Sequence, residues 1–146
     1  SCNFSEGLVY TWPLPNGFND GDMATIKGSV PIDGSAFSIN FMAGSNLGSS
    51  DILFHMGSRY TIDQIEFNTR NSGNWTAQET HNEAGAIVAG RYFTIFITLK
   101  CDQYTVTTNG RHFATFKKRK SNSHITYLVI DQDVIISSVT FESYLT

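Results

Sequence analysis

Side chains able to do chemistry concentrate between residues 38 and 81. His55, Gly57 and Arg59 alternate along the chain, so in an extended segment they share one face while Phe54, Met56 and Ser58 share the other. The same alternation sets Glu66, Asn68 and Arg70 against Ile65 and Phe67, and Ser38 and Asn40 against Phe37, Ile39 and Phe41. A following segment brings Trp75, Gln78, Glu79 and His81. Together these residues suit a sugar. A pyranose presents hydroxyls that both donate and accept, and planar groups such as Arg, Asn and Glu match pairs of neighbouring hydroxyls. It also presents a patch of C–H groups, which an indole face can cover for about 1 kcal/mol beyond area burial.

Other chemistries are less well supplied. A glycosidase needs two carboxylates about 5–10 Å apart around one bond, and Glu79 has no evident partner; Asp63, Glu66 and Glu83 read as surface charges. A zinc site wants closely spaced Cys or His, whereas His81, His112 and His124 have no ligand spacing. No cluster of acidic ligands suggests calcium. The chain therefore reads as a binding module without metal or cofactor, and not as an enzyme.

The elements that must carry these residues are strands. Turn signals recur at short intervals, among them Pro15-Asn16-Gly17, Asp33-Gly34-Ser35, Asn71-Ser72-Gly73-Asn74 and Asn109-Gly110, with alternating runs between them. Strands are expected near residues 24–30, 37–41, 52–59, 65–69, 75–79, 93–100, 104–108, 112–116, 125–130 and 134–141. Asn109-Gly110 is a hairpin signal, because both central residues of a type I′ turn need positive φ. No segment of useful length has a 3.6-residue period. The predicted fold is all-β, an antiparallel, jelly-roll-like β-sandwich of two packed sheets, with residues 1–146 forming a single domain. Trp12, before Pro13, reads as packing.

Composition agrees with that reading. The 146 residues are 40% hydrophobic and 13% aromatic, enough for one core and unlike a disordered chain. The net charge of −3 offers no field for nucleic acid, and the run Lys117–Lys120 reads as a solvated strand end, with an anion contact as the lesser reading. Two cysteines, Cys2 and Cys101, are too few for a disulfide framework and read as free thiols, a Cys2–Cys101 bridge staying open. No apolar stretch is long enough for a membrane helix and no signal peptide is evident. Sequons at Asn3 and Asn74 would matter only in the secretory pathway, where a glycan on Asn74 would obstruct a site at Trp75.

The order of these segments resembles the galectin family. Its site motif runs His-x-Asn-x-Arg, then Val-x-Asn, then Trp-Gly-x-Glu-x-Arg; here the pieces are His55-Met56-Gly57-Ser58-Arg59, Glu66-Phe67-Asn68, and Trp75-Thr76-Ala77-Gln78-Glu79-Thr80-His81. Gly90-Arg91-Tyr92-Phe93 and the Tyr104–Gly110 hairpin segment also resemble family features, so the likeness covers about residues 7 to 142. The resemblance implies a metal-independent lectin for β-galactosides. His55 and Arg59 would contact the axial hydroxyl of galactose, Asn68 the primary hydroxyl, and Trp75 would stack under the ring. Glu79 would bridge to the second sugar and hold Arg59, while Ser38 and Asn40 would extend the groove.

Departures stand beside these matches. Gly57 replaces the family Asn, so restoring Asn there is expected to tighten binding. Counted forward from Trp75, the family Glu and Arg fall on Gln78 and Thr80; counted back from Gly90 they fall on Glu79 and His81, the register preferred here. Either way the last Arg is absent, which implies altered preference. The rival reading is a galectin-fold protein that has lost sugar binding and acts through protein contacts. The resemblance further implies galactose-containing glycans on glycoproteins or glycolipids as partners, no membrane insertion, and cytoplasmic synthesis with non-classical export; a homodimer is left open.

Overall fold

The computed structural model describes residues 8–119 and 121–144. Cys2, the Asn3 sequon and Lys120 lie outside the described residues, as does the side chain of His112. Two antiparallel sheets pack face to face, and the described residues contain no helix. The first sheet holds β1 (Leu8–Pro13), β11 (Tyr127–Gln132), β3 (Phe37–Met42), β4 (Ile52–Arg59), β5 (Gln64–Asn71) and β6 (Asn74–Trp75), in that order, and β7 (Glu79–Asn82) also pairs with β5. The second runs β10 (Arg111–Lys117), β9 (Gln103–Thr108), β8 (Tyr92–Lys100), β2 (Asp22–Ser29) and β12 (Ile135–Ser143).

Period-two alternation places the core. Phe37, Ile39 and Phe41 from β3, Phe54 and Met56 from β4 and Phe67 from β5 meet Ile95 and Ile97 from β8, Tyr104 and Val106 from β9 and Phe116 from β10. Aromatic rings bridge the sheets: Phe37 stacks on Phe93 at 5.6 Å, Phe67 on Phe116 at 5.6 Å, and Phe54 meets Tyr104 at 4.7 Å. Each such pair contributes about 0.5–1.5 kcal/mol beyond its buried area. The β9–β10 turn has Asn109 at φ 51° and Gly110 at φ 82°, the two positive values a type I′ hairpin requires.

Two differences from the sequence reading bear on the site. The strand expected at residues 75–79 is broken: Trp75 ends β6, Glu79 opens β7, and residues 76–78 link them. In addition, β4 carries a bulge between Ile52 and His55, so that Leu53 and Phe54 stand opposite Thr69 alone. The extra residue moves the outward register, which lets Ile52 and His55 both face away from the core although three positions apart. Thr69, fully buried there, donates its hydroxyl to the Leu53 carbonyl at 3.1 Å.

Candidate carbohydrate-binding site

Register alone arranges the outward face of the first sheet as rungs. The first sets Ile52 beside Arg70 and Arg70 beside Trp75; the second sets Asn40, His55 and Asn68 in line; the third runs Ser38, Gly57, Glu66, Thr80; the fourth pairs Arg59 with Gln64. Neighbouring strands lie about 4.8 Å apart, so the face is a grid of polar groups at roughly the spacing of hydroxyls across a sugar or two. A depression of about 370 Å³ opens on it, lined in part by Ser38, His55, Gly57, Arg59, Ile62 and Glu66.

His55 occupies the middle of the grid, and its orientation is fixed from behind. Asn40 donates its Nδ2 hydrogens to Ser38 Oγ at 2.9 Å and to the Val129 carbonyl at 3.2 Å, which leaves Oδ1 pointing at His55 Nδ1, 2.7 Å away. A carbonyl oxygen only accepts, so Nδ1 carries the proton and Nε2 of the neutral ring offers a lone pair to the groove. Ser38 in turn donates to Asp131 Oδ1 on β11. Burial holds the imidazole below its ordinary pKa, against the opposing pull of Glu66 and Asp131. Asn40 is only 1% exposed and both ends of its amide are occupied. It lies beneath the groove, where it orients His55, and does not extend the binding surface; Ser38 is half-buried and reaches the depression.

Trp75 is 47% exposed on the outward face. His55 stands edge-on to it at 4.9 Å, and the Arg70 guanidinium lies over the indole at 5.4 Å. Arg70 is itself anchored by donating to the carbonyls of Leu47 and Ser50 at 2.6 and 2.7 Å. The indole is thereby held as a rigid platform beside His55. Arg59, exposed on the fourth rung, also lines the depression.

Asn68 is 6% exposed and largely committed inward. Its Oδ1 accepts from the Thr69 amide, the Thr76 hydroxyl and Arg119, and its Nδ2 donates to the Thr76 carbonyl at 2.9 Å, leaving one N–H for a ligand.

Glu79 and His81 are not brought to this face. They pair in register with Phe67 and Ile65, residues of the core side, and His81 meets the Phe67 ring edge-on at 5.5 Å. The outward positions of β7 and the link before it fall to Thr80, opposite Glu66, and to Gln78, which donates to Thr80 at 3.0 Å. The forward count from Trp75 thus gives the outward residues, because the interruption at residues 76–78 resets the alternation. Nor does Glu79 hold Arg59: its carboxylate is paired with Arg119 at 3.1 Å.

Arg119 is the residue the sequence reading undervalued. The sequence sets it in a solvated basic run, and Lys117 and Lys118 are exposed. Arg119 instead crosses between the sheets, donating to Thr76 Oγ1 at 2.5 Å and Asn68 Oδ1 at 3.2 Å, with its guanidinium 4.8 Å over Phe116. Glu66, read as a surface charge, also belongs to the site: it lines the depression, 3.7 Å from His55 Nε2. Its place one residue-pair before Asn68 was the available signal.

Comparisons with known proteins agree with this geometry. A family model described as galactoside-binding lectin matches residues 9–141. Pig galectin-4 is 32% identical over 137 residues and human galectin-4 30% over 139, covering 93% and 94% of this chain but 42% of each relative. The chain therefore spans less than half the length of those relatives. Human galectin-7 is 25% identical, with 86% of this chain and 91% of that protein covered. Among solved structures, a variant of human galectin-16 superposes with a TM-score of 0.80 at 24% identity, covering 92% of this chain and 94% of that one. With the family model spanning nearly the whole chain, this protein belongs to the galactoside-binding lectins, the galectin family, whose members bind carbohydrate and are not enzymes.

Proposed function

We propose that this chain binds β-galactoside-type glycans, without a metal ion, across the outward face of its first sheet, and with a preference altered from that of a lectin carrying the full site motif. The observation that carries the reading is the half-exposed Trp75 platform standing 4.9 Å from a His55 whose Nε2 is presented to an open depression. A galactose whose C–H face covers the indole would bring its axial hydroxyl toward His55 and Arg59. Asn68 would offer its one remaining N–H to the primary hydroxyl. Gln78 and Thr80, not Glu79 and His81, would meet the second sugar. Two short amide or hydroxyl groups in place of a Glu and an Arg are the reason to expect a changed preference there. Partners would be galactose-terminated glycoproteins or glycolipids.

Affinity should fall between roughly 10 μM and several mM, as an open and wet groove permits. Trp75→Ala and Arg59→Ala should each reduce retention on galactose-terminated glycans severely, with EDTA without effect. If wild-type protein binds no such glycan, the rival reading takes over, a galectin fold that works through protein contacts. We also place its synthesis in the cytosol, with non-classical export: Asn74 of the Asn74-Trp75-Thr76 sequon is exposed, and a glycan added there would stand directly beside the platform.

A further inference from the structure

Glycine at 57 removes the Asn the family motif carries, yet the space is not empty. A Cβ built on Gly57 would lie 2.7 Å from Glu66 Oε1, 2.9 Å from Glu66 Cγ and 3.1 Å from His55 Nε2. Gly57 and Glu66 are direct cross-strand partners, and the Glu66 side chain folds over the glycine toward the imidazole. Where the family pattern pairs Asn with Val across these strands, this chain pairs Gly with Glu. The two changes fit one another: any side chain at 57 would displace the carboxylate, and the carboxylate occupies what a side chain would have filled.

The exchange reverses the hydrogen-bonding character of the site. An Asn amide both donates and accepts; a carboxylate only accepts. His55 Nε2 is also an acceptor, because Nδ1–H is committed to Asn40. Two acceptors 3.7 Å apart, each about one-sixth exposed, therefore face the same depression with no proton to share between them. A ligand group seated there must bring the hydrogen. A free hydroxyl does so; a methyl ether does not, and an anionic sulfate ester at that oxygen would meet the Glu66 charge.

We propose that Glu66 is a sugar-contacting, specificity-determining residue of this site, replacing the family Asn with an acceptor pair, Glu66 and His55, that selects a free hydroxyl and rejects a capped or anionic one. This rests on the galactoside reading for the identity of the sugar, but not for the role of the residue.

The test is a cycle of Glu66→Val, Gly57→Asn and the double variant, run on a glycan array and by calorimetry with a β-galactoside and with its singly O-methylated and O-sulfated derivatives. A hydrogen bond to a charged group contributes about 1.5–3 kcal/mol, or roughly 10- to 150-fold. Glu66→Val should lose at least about tenfold on the free galactoside and narrow the gap to the derivative capped at the contacted hydroxyl. Gly57→Asn alone should gain nothing, because it must displace Glu66, while the double variant should recover to within about threefold of wild type. Glu66→Gln, which keeps an acceptor oxygen, should fall in between. Unchanged binding and unchanged selectivity in Glu66→Val would overturn the inference and leave the galactoside reading standing. Wild-type binding to some other glycan, lost in Glu66→Val, would uphold it and overturn the galactoside reading. Binding to no glycan would overturn both.

Discussion

Arg119→Ala should destabilise the domain by about 2–3 kcal/mol, far more than removal of an ordinary surface charge. Its ion pair with Glu79 is partly solvated, with side-chain exposures of 25% and 43%, so that component is within about 1 kcal/mol. The guanidinium over Phe116 at 4.8 Å adds about 0.5–1 kcal/mol. The larger share is the charged bond to Thr76 Oγ1 at 2.5 Å, about 1.5 kcal/mol at the low end for a charged donor. Asn68 Oδ1 keeps two other donors, the Thr69 amide and the Thr76 hydroxyl, so its loss of Arg119 adds little. Urea unfolding with linear extrapolation measures the difference directly; for a domain of this size the midpoint should fall by roughly 1–2 M at an unchanged slope. Arg119→Lys retains a charge but not the fork that reaches Glu79 and Thr76 together, so it should recover less than half of the loss. A drop below about 0.5 kcal/mol, or a fully wild-type Arg119→Lys, would mean that Arg119 is a solvated charge after all and that the hairpin carrying Trp75 is held by its backbone alone.

Other outcomes follow from the same geometry. Asn40→Ala should cost about 1–3 kcal/mol and weaken sugar binding although the residue is 1% exposed, since it strands a buried Nδ1–H; imidazole ¹⁵N shifts would report whether the tautomer is lost. Trp75→Ala should remove about 1 kcal/mol of stability through its contact with Arg70 while abolishing most glycan retention, with circular dichroism still that of a β protein. Because burial lowers the His55 pKa, the unfolded chain takes up that proton first. Stability should be full above about pH 6.5 and decline as pH falls below it, and His55→Gln should flatten that part of a pH–stability profile. Asn109→Ala, at a turn position with φ 51°, should cost about 1–2 kcal/mol in thermal or urea unfolding.

Much of the frame could be read from alternation. The bounds of β4 match the expected strand, and His55, Gly57 and Arg59 do share a face, because period two is a property of neighbours along one strand. What the sequence could not carry is contact between distant segments. Asn40 and Asn68 sit at outward positions and look like ligands; their burial comes from Val129, Thr76 and Arg119, eight to 89 residues away. The break between Trp75 and Glu79 was hidden because Thr76, Ala77 and Gln78 have no polarity pattern to mark a reset. Glu66 was legible as an outward acid, but its meaning depended on the glycine opposite, which only the pairing of β4 with β5 reveals.

The bond from Ser38 to Asp131 spans 93 residues, and β11 lies between β1 and β3. A ribosome delivers the chain from its N-terminus, so the strands bearing His55 and Asn68 leave it well before the strand that fixes the imidazole. At about 5–20 residues per second the interval is on the order of ten seconds. During that time the sheet has no β11, and Tyr10 and Trp12 of β1 have no strand to pair with. Asn40 is held by Ser38 and the Val129 carbonyl, and Ser38 by Asp131, so the orientation of His55 is completed only by the strand of the first sheet that the ribosome delivers last.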